Sequence, residues 1–567
     1  MAEKHEQHSA SASSAELAHP PAAPATQIQQ QQQKDTATKE HLEYYQEHTT
    51  GYSHGLAAVA ETNGFKPQDG RLVVDPAEAR VEYGEEIASR LKLNMSGTKV
   101  LWPQPSDDPN DPQNWSSRKK NIQLLVLTMA SFVPDFCSGL GIASLFNLAE
   151  SFNTTTGEIN NLTSNWSIFC LGPGGIAAVF FIKRYGRLPV IFWSQVIGLG
   201  FLIGCAVAPT LEIFAAMRIL NAFFSTAPQC VGLWTVCDLF PFHLQARKLN
   251  LWTMGFIISP FISPFLLGFM IPTTNFKDVY LVGVAYTAVV VLAIAFIMEE
   301  TMYDRDVVPF PQRPTTGLRY RIETLVGITG YKMRKYRCTW FEAIFSVFDV
   351  VWRPHALLML IYVGVTFGFG IGINVTQAVF IGSPPPLGYG YSAYATAGLY
   401  GTPIVAVILG ELSGRYINDF IADRLIRRNK GVFEAEMRLW TCYFAIPFFV
   451  VGFCLLGVTF EKKLNVAGVI FGWGLAEYAI LINTVAVYAY MNNCFPTRQG
   501  EVSALINLAR TFGGFAVPYY AEPWALANGP MKPFGMEAGV GFGLFIIIVP
   551  LLQVYGPRLR GKFSVKH

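Results

Sequence analysis

Twelve stretches of this chain are apolar over a length that can cross a bilayer, and they follow one another from residue 121 to residue 554. A helix rises about 1.5 Å per residue, so about 20 apolar residues cover the roughly 30 Å of hydrocarbon. Within that layer no water satisfies backbone N–H and C=O groups, which leaves only helices and closed barrels as spanning structures. Apolar stretches of this length read as transmembrane helices. An all-α membrane protein is therefore expected. The stretches lie at 121–145, 162–182, 188–208, 211–237, 249–271 and 279–298 in a first set of six, and at 356–381, 393–412, 439–460, 464–490, 502–521 and 538–554 in a second.

The segments between and around them define the domains. Residues 1–101, with a glutamine run from Gln29 to Gln33, are too polar to bury a core and are expected to form a disordered cytosolic tail. No early apolar segment reads as a cleaved signal, so span one is expected to act as the insertion signal. A six-helix bundle is assigned to 102–298, a cytosolic loop to 299–354, a second six-helix bundle to 355–556 and a cytosolic tail to 557–567. At the end of the central loop, Phe341, Ile344, Phe345, Phe348, Val351 and Trp352 recur at helical spacing. That pattern fits an amphipathic helix in the membrane interface or an ordinary packing helix. Basic residues in short loops stay in the cytosol. Arg118, Lys119 and Lys120 before span one, Lys183, Arg184 and Arg187 after span two, Arg247 and Lys248 after span four, Arg415 to Lys430 after span eight, and Arg558 and Arg560 after span twelve all fall on one side. Both termini are then cytosolic. Asn153 and Asn161, each in an Asn-x-Thr tripeptide, lie in the first outer loop and are candidate glycosylation sites.

Composition removes several functions. Only 15% of residues are charged and the net charge is +3, too little to suggest a nucleic-acid partner. There is no GxxxxGK[ST] segment to bind ATP and no nucleophile–base arrangement, so an enzyme is not expected and energy must come from a gradient. The nine cysteines lack CxxC spacing, and neither a metal nor a cofactor is expected. The histidines lie in the tail, at span edges (His243, His355) or at the end of the chain, so a proton relay inside the membrane has to use carboxylates.

Six spans, a long loop and six more spans resemble the major facilitator superfamily, and local motifs strengthen the likeness. Asp108-Pro109-Asn110-Asp111-Pro112-Gln113-Asn114-Trp115 resembles the DPxxPxNW element of fungal members. Arg184-Tyr185-Gly186-Arg187 is similar to the end of the family's GxxxDRxGRR loop. Here Lys183 replaces the usual Asp and Val179 the usual Gly, which removes the acidic half of that motif's charge lock. Arg218 resembles the Arg of RxxxG with Ala222 in the Gly position, and Asp238, Pro241 and Arg247 resemble an acidic-Pro-basic loop pattern. Gly255, Ser259, Pro260, Ser263 and Pro264 are similar to the GxxxGPxxGP motif of drug:proton antiporters, and Glu300 to Arg305 looks like a sequence of the fungal branch related to polyamine and organic-cation carriers. The resemblance implies a fold in which spans one, four, seven and ten line a central cavity and two bundles rock about a midplane site.

A charge at mid-bilayer costs at least about 2.5–3.5 kcal/mol, so each one invites a functional reading. Those present are Asp135, Arg218, Glu477 and Arg510. Asp135 and Arg218 come out at similar depth, roughly 10–15 Å from the outer surface, and are expected to be able to meet. Asp135, Arg218 and Glu477 are the proton-coupling candidates, with Asp135–Arg218 and Glu477–Arg510 as neutralising pairs in the alternative reading. Asp135, Asn374, Gln377, Glu477, Tyr478 and Trp234 are the substrate-binding candidates. Arg184, Gly186, Arg187, Gly255, Pro260, Pro264, Asp419 and Arg424 are the gating candidates. The expected protein is a monomeric, proton-coupled secondary transporter of small organic compounds, cationic or amphipathic, in the plasma membrane or alternatively the vacuolar membrane. An amine-uptake symporter and a transporter-like sensor are the alternatives.

Overall fold

The apolar stretches become helices, as the absence of backbone partners in lipid requires. In this computed structural model the described residues are 71–94, 96–106, 108–303, 317–385, 388–429 and 432–563. Spans one to six are Ser117–Ala143, Trp166–Tyr185, Arg187–Val207, the pair Leu211–Ser225 and Ala227–Leu239, Phe242–Gly268, and Phe276–Phe296. Spans seven to twelve are Pro354–Gly382, the pair Ala393–Leu399 and Gly401–Arg428, Trp440–Glu461, Val466–Cys494, Gln499–Asn528, and Met531–Lys562. Ten helices are long and apolar enough to cross a membrane among the described residues. The other two passes are span four, interrupted at Thr226 just before Pro228, and span eleven, which carries Glu501, Arg510 and Glu522.

Helix ends differ from the apolar limits because the hydrogen-bonded helix does not stop where the apolar run does. Span five starts at Phe242, so Arg247 and Lys248 lie on a helix rather than in a loop, and span eight extends to Arg428. The bundles meet where span two packs on span eleven, span four on span eleven, and span five on spans eight and ten. Spans seven and eleven come within backbone distance. A Cβ on Gly513 would lie 2.0 Å from the Gly364 carbonyl oxygen, and one on Gly368 2.5 Å from the Gly513 carbonyl carbon. Small residues permit this approach in lipid, where packing rather than water exclusion holds helices together.

The face carrying most of the basic residues, hereafter the basic face, holds more structure than the sequence suggests. Residues 71–101, assigned above to a disordered tail, contain a strand β1 (Arg71–Val73) and helices Pro76–Tyr83 and Glu85–Arg90. Strand β1 pairs antiparallel with β2 (Val432–Glu434), which follows span eight. The reason is burial. Val73, Val74, Ala79, Val100, Trp102, Phe242 and Phe433 form a small core of their own, and Trp102 Nε1 donates to the Val73 carbonyl at 2.9 Å. Residues 1–70, including the glutamine run, and 564–567 lie outside the described residues. The central loop carries helices Gly317–Val326, Ile328–Met333 and Trp340–Val351. The last has a Thr339/Glu342 capping box and leaves Phe341, Phe345 and Phe348 exposed, while Ala343, Ser346, Val347 and Val350 are buried.

Candidate functional site

The break in span four prepares one side of the site. Because proline suits a helix's first turn, Pro228 restarts the helix after Thr226 and Gln229 turns toward span one. Its Nε2 donates to the Ser131 carbonyl at 3.1 Å and to Asp135 Oδ2 at 2.8 Å. Ser131 Oγ in turn donates to the Pro228 carbonyl at 3.0 Å and accepts from Trp252 Nε1 at 2.9 Å. Asp135 therefore sits at mid-span in a neutral hydrogen-bonded cradle and stays partly accessible.

Span eleven supplies the other side. Arg510 is 4% exposed, and its guanidinium carbon lies 3.9 Å from the ring centre of Phe367 on span seven and 4.7 Å from that of Phe256 on span five. Tyr488 of span ten is a polar neighbour. No ion pair holds Arg510, and its Nε and Nη1 have no hydrogen-bond partner among the described residues. Asp135, and not Glu477, is the carboxylate in electrostatic contact with it. The two charges belong to different bundles.

Neither expected neutralising pair forms. Arg218 does not meet Asp135. Its guanidinium donates to the Thr163, Cys137 and Ser138 carbonyls at 3.1, 3.0 and 2.7 Å and to the Tyr280 hydroxyl at 2.7 Å, tying spans one, two, four and six together. Glu477 does not meet Arg510. It is buried and accepts from Trp473 Nε1 at 3.3 Å, one turn back on its own helix. Gly370 brings span seven against it. On span seven, Asn374 Oδ1 and both amide atoms of Gln377 are buried without partners among the described residues. Two other candidates lie elsewhere. The Tyr478 hydroxyl accepts from Ser413 at 2.8 Å inside the second bundle, and Trp234 stands on the basic side against Gly500 and Arg187.

Side chains join the bundles at both ends. On the basic face Lys183 of span two forms an ion pair with Glu501 of span eleven, which is fully buried, and also donates to Ser346 at 2.7 Å. Arg498 approaches Glu501 at 3.5 Å. Lys183, which stands where the loop motif has its usual Asp, thus ties the two bundles together. Beside it Arg187 pairs with Asp238, and Glu300 accepts from the Arg187 and Leu188 N–H groups, each at 3.1 Å, capping span three after Gly186 at φ 100°. Arg184 donates to the Cys338 carbonyl at 3.0 Å. At the opposite face Tyr519 donates to Asn161, and Phe269 faces Tyr394 at 6.4 Å. Thr128 fills the space beside Gly255, and Gly139 packs on Pro260, Ser263 and Pro264, which brings spans one and five together. The Asp419 side chain lies outside the described residues, and Arg424 is exposed.

Gln229 and Lys183 were not among the site residues expected from the sequence, Glu501 was expected only in a solvated or gating role at a span end, and the alternative pairing of Arg510 with Glu477 does not form. The available signals were a Pro-Gln step inside an apolar span and an acid at the start of span eleven to match the Lys183 exchange.

Known proteins place this arrangement. The profile of the Major Facilitator Superfamily matches residues 124–518. The chain is 23% identical over 479 residues to the efflux pump radE of Floropilus chiversii, covering 82% of this chain and 86% of that protein. It is 23% identical over 525 residues to the MFS transporter fsa7 of a Fusarium species, covering 88% and 98%. A solved structure of the proton:xylose symporter XylE superposes with a TM-score of 0.56 at 12% identity, covering 79% of this chain and all of that one, a likeness of fold alone. With a family match over most of its length and twelve helices in that arrangement, this chain belongs to the major facilitator superfamily and is a multi-pass membrane transporter rather than an enzyme.

Proposed function

We propose that this protein is a proton-coupled secondary transporter that carries a small amphipathic organic compound by alternating access, with Asp135 as the proton site. The observation that supports this reading is the setting of Asp135. It is a partly accessible mid-span carboxylate, held by a neutral amide from its own bundle and facing the field of an unpaired arginine on the other. Adding or removing a proton there changes the attraction between the bundles, and coupling a proton gradient to rocking requires such a change. The name of radE as an efflux pump favours export. In this reading the basic face is cytosolic, the plasma membrane is the site of action and the monomer is the working unit. Of the two glycosylation candidates Asn153 is the acceptor, because it is exposed whereas Asn161 is engaged by Tyr519.

The test is Asp135→Asn in proteoliposomes with an imposed pH gradient. The amide mimics the protonated acid, so counterflow exchange of substrate should survive while gradient-driven accumulation falls at least tenfold. Accumulation at the wild-type level rejects Asp135 as the coupling site.

A further inference from the structure

We infer that Arg510 anchors an anionic group, a carboxylate or comparable oxyanion, on an otherwise apolar substrate. The inference rests on the transport reading above and names the substrate class for it. An arginine cannot shed its proton in a protein, so Arg510 remains a cation in the middle of the bundle. Burying a charge is expensive unless it is paired and hydrogen-bonded. Arg218 shows how this chain meets that requirement when the purpose is structural, because all of its nitrogens are engaged by three carbonyls and a hydroxyl. Arg510 is buried as deeply but is treated differently. Phe367 and Phe256 offer their ring faces, which stabilise the cation yet accept no N–H bond in the plane of the guanidinium, and the Tyr488 side chain engages only part of it. Nε and Nη1 remain open donors. These are two of the guanidinium's five donors, on different edges, and each can hold an oxygen of a carboxylate or comparable oxyanion.

The surroundings restrict the rest of the ligand. Phe256, Phe367, Tyr488 and Trp252 are buried aromatic residues from spans five, seven and ten, suited to an apolar or aromatic body attached to the acid. The two mid-span carboxylates do not offer an equivalent place for an amine. Glu477 is held by Trp473, and Asp135 by Gln229 with Arg510 as its charged neighbour. An ammonium would approach Asp135 against that arginine. Of the cationic or amphipathic compounds expected from the sequence, amphipathic acids are thereby favoured over amines.

The experiment uses purified full-length protein in nanodiscs and three probes sharing one ring system: 1-naphthaleneacetate, 1-naphthaleneacetamide and 1-naphthaleneethylamine. Equilibrium binding without any gradient should favour the acid over the amide by at least tenfold, with the amine weakest. In Arg510→Gln the acid–amide difference should shrink to about threefold or less while amide affinity is unchanged. Arg510→Lys, which keeps the charge, should retain an intermediate preference and guards against a folding defect in the Gln variant. Equal binding of acid and amide to wild type, a preference for the amine, no binding of any probe at millimolar concentration, or an acid preference that survives in Arg510→Gln each overturns the inference. Because no gradient is applied, these results are independent of proton coupling, which Asp135→Asn tests separately.

Discussion

The ion pair that ties the bundles at the basic face should control how often that face opens. Lys183 and Glu501 attach span two of one bundle to span eleven of the other, and both enter water when the bundles part. Removing one member of a buried pair costs about 3–5 kcal/mol, because the other charge is left buried and unpaired. The Lys183 side chain is 14% exposed and Arg498 stands 3.5 Å from Glu501, so the lower end applies and part of it is compensated. We expect Lys183→Gln to shift the closed-to-open equilibrium by about 1.5–3 kcal/mol, or roughly 10- to 150-fold at about 1.4 kcal/mol per decade. Glu501→Gln should do less, since the freed lysine can swing its ammonium toward water. Cys237 reports the change. It is 4% exposed near the end of span four and touches Asn492 of span ten at 3.7 Å, a contact between the bundles. Alkylation by a maleimide, mapped by peptide mass spectrometry because the described cysteines are all unbridged, should accelerate at least tenfold in Lys183→Gln and less in Glu501→Gln. The double variant should resemble Glu501→Gln. If Cys237 labelling in a folded Lys183→Gln protein matches wild type, the pair is not a latch and the reasoning fails.

Two further outcomes follow from the described contacts. Arg218→Lys replaces a fork that reaches three carbonyls and a hydroxyl by a single ammonium, and should lower thermal stability by about 2–3 kcal/mol; a pH dependence of transport per folded molecule that also changes would return Arg218 to the coupling path. Asp108, before span one, is held below the usual carboxylate range by the Tyr303 hydroxyl and the Asn110 N–H. Its stabilising effect is therefore present above the unfolded value of about 3.9 and disappears as pH falls through the lower folded value. The stability gap between wild type and Asp108→Asn, read as melting temperature, should close below about pH 4, and a gap independent of pH contradicts the pairing.

Hydropathy located the passes because lipid punishes any exposed backbone polar group, although as helices spans four and eleven fall short of the length or apolarity of the other ten, and it marks where lipid is and not where helices stop. The continuation of span eight to Arg428 was hidden for that reason. Depth along a helix was readable too, which is why Asp135, Arg218, Glu477 and Arg510 stood out. Which way each side chain turns around its helix axis was not, and two charges at one depth can face different neighbours. Asp135 and Arg218 lie at comparable depth, yet one is held by Gln229 and the other by carbonyls of spans one and two. The Lys183 exchange was visible as a departure from a motif, while its meaning lay 318 residues away in Glu501. Strand β1 has only three residues and no alternation worth reading. Its partner exists only once the second bundle is in place.

That small ladder acts on the stroke of the carrier. Residues 71–102 grip the second bundle through β2 and Phe433, and the first through the Phe242 N–H, which donates to the Trp102 carbonyl at 2.7 Å. The segment is thus a strap across the mouth of the basic face, fastened on both banks. If that mouth widens as the proposed rocking requires, one fastening has to yield, and a two-stranded ladder of three residues is the weaker, since such a pair is barely stable by itself. Under the proposed rocking, residues 71–102 would act as a return spring that opposes opening of this face and favours its closure, without touching the cargo.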